Sequence, residues 1–278
     1  MLDLLLQSSI MQRALMAALL VGLTAPAVGT FIVQRRLALL GDGIGHVALT
    51  GVALGFLTGT APVLTAIVVS VLGAMLIELV RERGRTGGDV ALALLFYGGI
   101  AGGVLLIGLS DTGSNSTLMS YLFGSITSVT EQDLWVIAGL AAAVLGVVAV
   151  FGRELFVLCQ DEEVAKASGL PVRFLSMLIA VTAALTVVVA MRVVGLLLVS
   201  ALMVVPVAAA QQLTRGFRAT LLAATAFGMV STVGGLSYTM YVDVAPGAAI
   251  VILALAGFAI ALTIGRFVRR SRTRESIS

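Results

Sequence analysis

An all-α bundle of membrane-crossing helices, about nine (eight to nine) in number, is the fold that this sequence predicts, and three observations predict it. Of 278 residues, 59% are hydrophobic and 11% are charged, where a soluble domain carries about 25% charged residues; the mean hydropathy is +1.12. Apolar stretches of about 17 to 20 residues recur along the chain, close to the length a helix needs to cross a hydrocarbon core. The basic residues gather in short clusters after every second stretch, which is how loops held on one side of a membrane are marked.

Span one, 14–33, is followed at once by Arg35 and Arg36, which places that end in the cytoplasm and the N-terminus outside. A signal peptide is the competing reading of ALMAALLVGLTAPA, but only Arg13 precedes the apolar run, against two arginines after it. Span two, 41–58, returns outward, and span three, 62–80, comes back to Arg81, Arg83 and Arg85. Span four, 90–109, leads out to the turn-forming loop DTGSNST. The segment after it, LMSYLFGSI at 118–126, is too short to cross. It reads either as a re-entrant half-helix, with Ser120, Tyr121 and Ser125 as pore-lining candidates, or as an amphipathic turn on the surface.

Span five, 134–151, reaches Arg153 and the longest polar stretch. Within it Asp161 suits an N-cap, Glu162 and Glu163 suit the first turn, Lys166 the last, Gly169 a left-handed C′ position, and Pro171 forbids continuation. That is a punctuated short helix, either a docking element or an ordinary connector. Spans at 174–190, 193–210, 219–238 and 247–266 follow, and a basic tail, 267–278, closes the chain in the cytoplasm. All of the 17 basic residues but Arg13 and Arg192 then lie inside. The whole chain, 1–278, reads as one membrane domain with its core at 12–266.

The candidate site lies at the start of span two. Asp42 and His46, the one histidine, stand four apart and so share a helix face, where a carboxylate oxygen and an imidazole nitrogen reach a common point. The pair can hold a metal ion, and an ionisable group in a bilayer is costly enough to call for a use. The plainer reading makes Asp42 the N-cap of a helix beginning at Gly43 and His46 a polar residue bonded to a neighbouring carbonyl. The loop charges put the pair nearer the cytoplasmic half. Glycine pairs four apart, Gly41 with Gly45, Gly51 with Gly55 and Gly98 with Gly102, predict closely packed helices.

Composition also excludes functions. One cysteine, Cys159, rules out an internal disulfide and a thiolate cluster. There is no GxxxxGK[ST] loop, no HExxH and no GxSxG, so any ATP has to be hydrolysed by a partner, and a transport subunit rather than an enzyme is the expectation. The basic residues serve topology rather than nucleic acid. A secondary ion-driven carrier is the rival transporter class, but such carriers place several ionisable groups or broken helices at the midplane.

The motifs MQRAL, GTFIVQRRLALLGDGIGHVALTGVALGFLTG, YLFGSI, DEEVAKASGLPVRF, VVGLLLVSALMVVPVAAA and SYTMYVDVAPGAAIVI, in that order over about residues 10–266, closely resemble the membrane permeases of bacterial zinc and manganese ABC importers. The resemblance implies the type II importer fold in the bacterial cytoplasmic membrane and a homodimer. It also implies two cytoplasmic ATPase subunits and an extracytoplasmic metal-binding protein as partners. Zinc or manganese is then the transported substrate, and no cofactor is permanently bound. Asp161 to Pro171 matches the family's coupling helix, and Asp42 and His46 match its aspartate and histidine of metal passage. Gly43 and Gly45 stand where alanine and serine are commoner in the family. The nearest alternative is the related permease for iron-siderophores or vitamin B12, whose bulky ligand has little use for such a pair.

Overall fold

A computed structural model describes residues 9–82, 88–109, 120–125, 129–242 and 244–275. Among them the regular elements are all helices: α1 (Ser9–Gln34), α2 (Leu40–Thr58), α3 (Pro62–Glu82), α4 (Gly88–Gly108), α5 (Glu131–Gln160), α6 (Glu162–Ala167), α7 (Val172–Met191), α8 (Val199–Leu213), α9 (Phe217–Tyr238) and α10 (Pro246–Glu275). Eight of these are long and apolar enough to cross a membrane. The seventh expected span, 193–210, differs. α8 has 15 residues, about 22 Å of helix, short of a core of about 30 Å.

The reason lies in the backbone before it. Gly195 is left-handed, with φ of 86°, which no L-residue adopts cheaply, and it breaks the helix expected from 193. Residues 192–198 instead form a link beside 120–125: the Leu196 and Leu197 N–H groups donate to the Tyr121 and Leu122 carbonyls at 2.9 and 3.2 Å. Each short segment thereby satisfies backbone groups of the other, which is what lets irregular chain sit inside a membrane protein. The expected half-helix at 118–126 reduces, within the described residues 120–125, to a single helical turn ending at Gly124, φ 77°. Leu118, Met119 and Ile126 lie outside the described residues.

Two helices outrun their predicted spans. α5 begins on a capping box, where the Thr130 hydroxyl accepts from the Asp133 N–H and the Asp133 carboxylate accepts from the Thr130 N–H. It continues well past 151 because Leu155, Leu158 and Cys159 are buried; the Cys159 thiol faces the Phe31 carbonyl of α1. α10 runs to Glu275, since an arginine-rich tail remains a good helix former.

α1, α2 and α7 are the most buried spans and form the centre. α2 lies between α3 and α4, and α9 covers α1. The glycine spacing works as expected on α2, where Gly51 and Gly55 meet α3 at Ala66 and Pro62. On α4 Gly99, Gly102 and Gly103 meet α2, while Gly98 faces open space. The direction of each helix brings Arg35, Arg81, Lys166 and Arg218 to one end of the bundle, the basic end. Arg192 lies at the other.

Candidate transport site

α2 starts at Leu40 with Leu39 as N-cap and no side-chain capping bond, so Asp42 sits inside the first turn rather than capping it. Its carboxylate turns outward to α8, where the Ser200 hydroxyl donates to Oδ1 at 2.8 Å. His46 lies one turn on. Its ring stacks edge-on against Phe96 of α4, centroids 4.3 Å apart, and its buried Nδ1 has no hydrogen-bond partner among the described residues. Neither half of the plain capping reading therefore describes this pair. An imidazole nitrogen that is buried and unpaired is costly, and a metal ligand has that form before its ion arrives.

The helices press in around it. Gly99 of α4 lies against the His46 peptide itself, and the Thr50 hydroxyl of α2 donates to the Gly99 carbonyl at 2.7 Å. Depth can be read from neighbours. Gly29 of α1 packs on Met203 of α8, three residues beyond Ser200; from Gly29 to Arg35 leaves about 9 Å of helix, and from Ser200 to Met203 about 4.5 Å. Asp42 thus lies roughly 13 Å inside Arg35, because the turn at 35–39, with Arg36 left-handed at φ 59°, starts α2 inside that end of the bundle.

At the basic end α6 has the punctuation the sequence predicted. Asp161 Oδ1 accepts from the Glu163 and Val164 N–H groups at 2.8 and 3.3 Å. Gly169 is left-handed with φ 75°, the Leu170 N–H closes back on the Ala165 carbonyl, and Pro171 precedes α7. Lys166 pairs with Glu162 and Glu163 at 3.2 and 3.1 Å, and those bonds raise its pKa. Sequence reasoning missed the tether behind this helix. Arg35, 8% exposed in its side chain, bonds Glu162 at 3.4 Å and Ser176 at 2.9 Å, joining α1, α6 and α7. Burial first, and then nearby Arg81, lower the Arg35 pKa.

At the opposite end Arg192 pairs with Asp133 and lies 4.9 Å over the Tyr121 ring. Tyr121 is buried, and Ser120 and Ser125 are half-buried. Tyr121 packs edge-on against Phe56 of α2, while Leu196, whose N–H bonds the Tyr121 carbonyl, packs on Gly45 between Asp42 and His46. Of the residues at the site, Ser200, Phe96 and Gly99 escaped sequence reading. Only Ser200 left a signal there, as a lone hydroxyl in LLLVSALMV.

The up-and-down bundle with its broken seventh crossing, a polar pair at the start of α2 and a short helix at the basic end is the architecture of a multi-pass permease of an ABC importer. PsaBC from Streptococcus pneumoniae, solved in complex with a Fab, has the same fold: TM-score 0.84, 34% identity, 94% of this chain and 93% of that one covered. The chain belongs to the ABC 3 transport family, which matches residues 7–265. The manganese transport system membrane protein MntC of Halalkalibacterium halodurans is 35% identical over 98% of this chain and 96% of its own length. Its namesake in Listeria innocua is 34% identical over 92% and 91%. As in that class, the chain is a transport subunit and not an enzyme.

Proposed function

We propose that this permease carries a divalent transition-metal ion, manganese before zinc, inward across the cytoplasmic membrane, with Asp42 and His46 as its transient site. The observation that carries the reading is the pair itself: a carboxylate and an unpaired imidazole nitrogen one turn apart, inside an otherwise apolar bundle. The relatives named for manganese transport favour that ion, and carboxylate with imidazole suits manganese and zinc alike.

Two ligands leave the ion short of the four zinc usually takes. A two-fold dimer supplies a second pair from the same face of its partner. In this reading the basic end, with α6, is cytoplasmic; Asp161, Glu162, Glu163, Lys166, Gly169 and Pro171 form the coupling element on which an ATPase pushes, and Arg35 passes the push to α1 and α7. An extracytoplasmic binding protein delivers the ion at the Arg192 end, where Ser120, Tyr121 and Ser125 flank the entry. Held by few ligands, the ion binds weakly enough to leave.

Radioactive manganese uptake by cells relying on this transporter tests the reading. Asp42→Asn and His46→Ala should each abolish uptake while the permease still co-purifies with its ATPase. Wild-type uptake by the double variant sinks the site.

A further inference from the structure

We propose that Ser200 is the positioning residue of this site: it holds one oxygen of the Asp42 carboxylate, so that a divalent cation meets Asp42 through the other oxygen alone. The inference rests on the reading of Asp42 as a ligand and goes beyond it in saying what fixes that ligand's geometry.

Four observations support it. Ser200 stands among apolar neighbours, and the 2.8 Å bond to Asp42 joins residues 158 apart in sequence, so only the tertiary fold creates it. It is also the one hydrogen bond that the Asp42 carboxylate accepts among the described residues, which leaves Oδ2 available. The close approach is built in at Gly41, where a Cβ would come within 3.3 Å of Met203 Sδ and 3.4 Å of Ser200 Cβ, and at Gly45, where it would come within 3.5 Å of the Leu196 carbonyl oxygen of the link before α8. Finally, Ser200 is in the first turn of α8, whose N–H groups and dipole favour a negative charge beside them.

Chemically, a carboxylate with one oxygen engaged by a hydrogen bond is held at a set angle and offers its other oxygen as the better cation ligand. Freed of that hydrogen bond it can rotate or chelate with both oxygens, the mode that larger oxygen-seeking ions such as calcium also accept. The same arrangement ties the site to the far end of the bundle. Ser200 follows directly on the link 192–198, which is bonded to Tyr121 and Leu122, so a displacement there shifts Ser200 against Asp42.

The test uses the purified permease–ATPase complex, titrated with Mn²⁺ alone and read by the electron paramagnetic resonance signal of the free ion, beside initial-rate uptake in cells. Ser200→Ala should weaken Mn²⁺ binding roughly tenfold, the scale of one hydrogen bond to a charged group, and slow uptake, with the melting midpoint of the complex unchanged. Ser200→Thr, which keeps the hydroxyl, should restore both. Ser200→Cys, close in size but a weak donor, should resemble alanine. Wild-type uptake by Ser200→Ala and Ser200→Cys overturns the proposal, as does a threonine variant no better than alanine. Asp42→Asn run in parallel separates the two levels: if it binds and transports normally, Asp42 is no ligand at all, whereas its failure beside a normal Ser200→Ala refutes only the positioning role of Ser200.

Discussion

Adjacent glycines on α4 should answer very differently to the same methyl group. At Gly99 an added Cβ would lie 2.7 Å from the His46 carbonyl carbon and from the Val47 nitrogen, and 3.0 Å from the His46 oxygen. Ordinary contact begins at 3.4 Å, so the two backbones must part by about 0.7 Å. Nothing flexible stands between them to absorb it. The same movement would stretch the 2.7 Å bond from the Thr50 hydroxyl to the Gly99 carbonyl to roughly 3.4 Å, beyond a good O–H···O distance. Overpacking of this kind costs about 1 to 3 kcal/mol, and at this position the strain falls on the peptide that carries the imidazole. Gly99→Ala should therefore lower the melting midpoint of the purified complex and cut manganese uptake at least tenfold at equal protein level. At Gly98 a Cβ meets nothing within 4 Å, and Gly98→Ala should leave both measurements unchanged. Equal behaviour of the two variants, in either direction, would refute the idea that α4 holds His46 by backbone contact.

Two further outcomes follow from the ends of the bundle. Gly169→Val meets no neighbour within 4 Å, so its penalty is the left-handed backbone alone, about 1 to 2 kcal/mol; uptake should fall more than the amount of co-purified ATPase, Gly169→Asn should be milder, and full transport by the valine variant would remove α6 from the coupling path. Arg192→Met removes the cation beside Asp133, leaving it only its Thr130 bonds, at a contact whose side chains are 11% and 14% exposed; since breaking a buried pair costs up to about 3 to 5 kcal/mol, a clear drop in the melting midpoint is expected, and an unchanged midpoint would mean that the pair does not hold the 192–198 link.

Much of this protein is written locally. Hydropathy over 20-residue windows locates the eight long helices, because a span in lipid must satisfy its own backbone bonds and so needs no partner to be helical. The alternation of basic clusters anticipates which helix ends share one side of the bundle. Asp161, Gly169 and Pro171 punctuate α6 in the sequence itself, since caps and left-handed turns depend on a few adjacent residues. The pair of Asp42 and His46 is legible from its spacing alone. The break before α8 is not: Leu196 and Leu197 read as ordinary helix until Tyr121 and Leu122 arrive to take their N–H groups. Nor can the sequence tell Gly98 from Gly99, place Arg35 between Glu162 and Ser176, or bring Ser200 across to Asp42. Such contacts join helices distant in the chain, and in an apolar bundle hydropathy is nearly uniform around each helix, so it carries no record of which face meets which neighbour; steric fit and the few polar groups settle that only once the helices have packed.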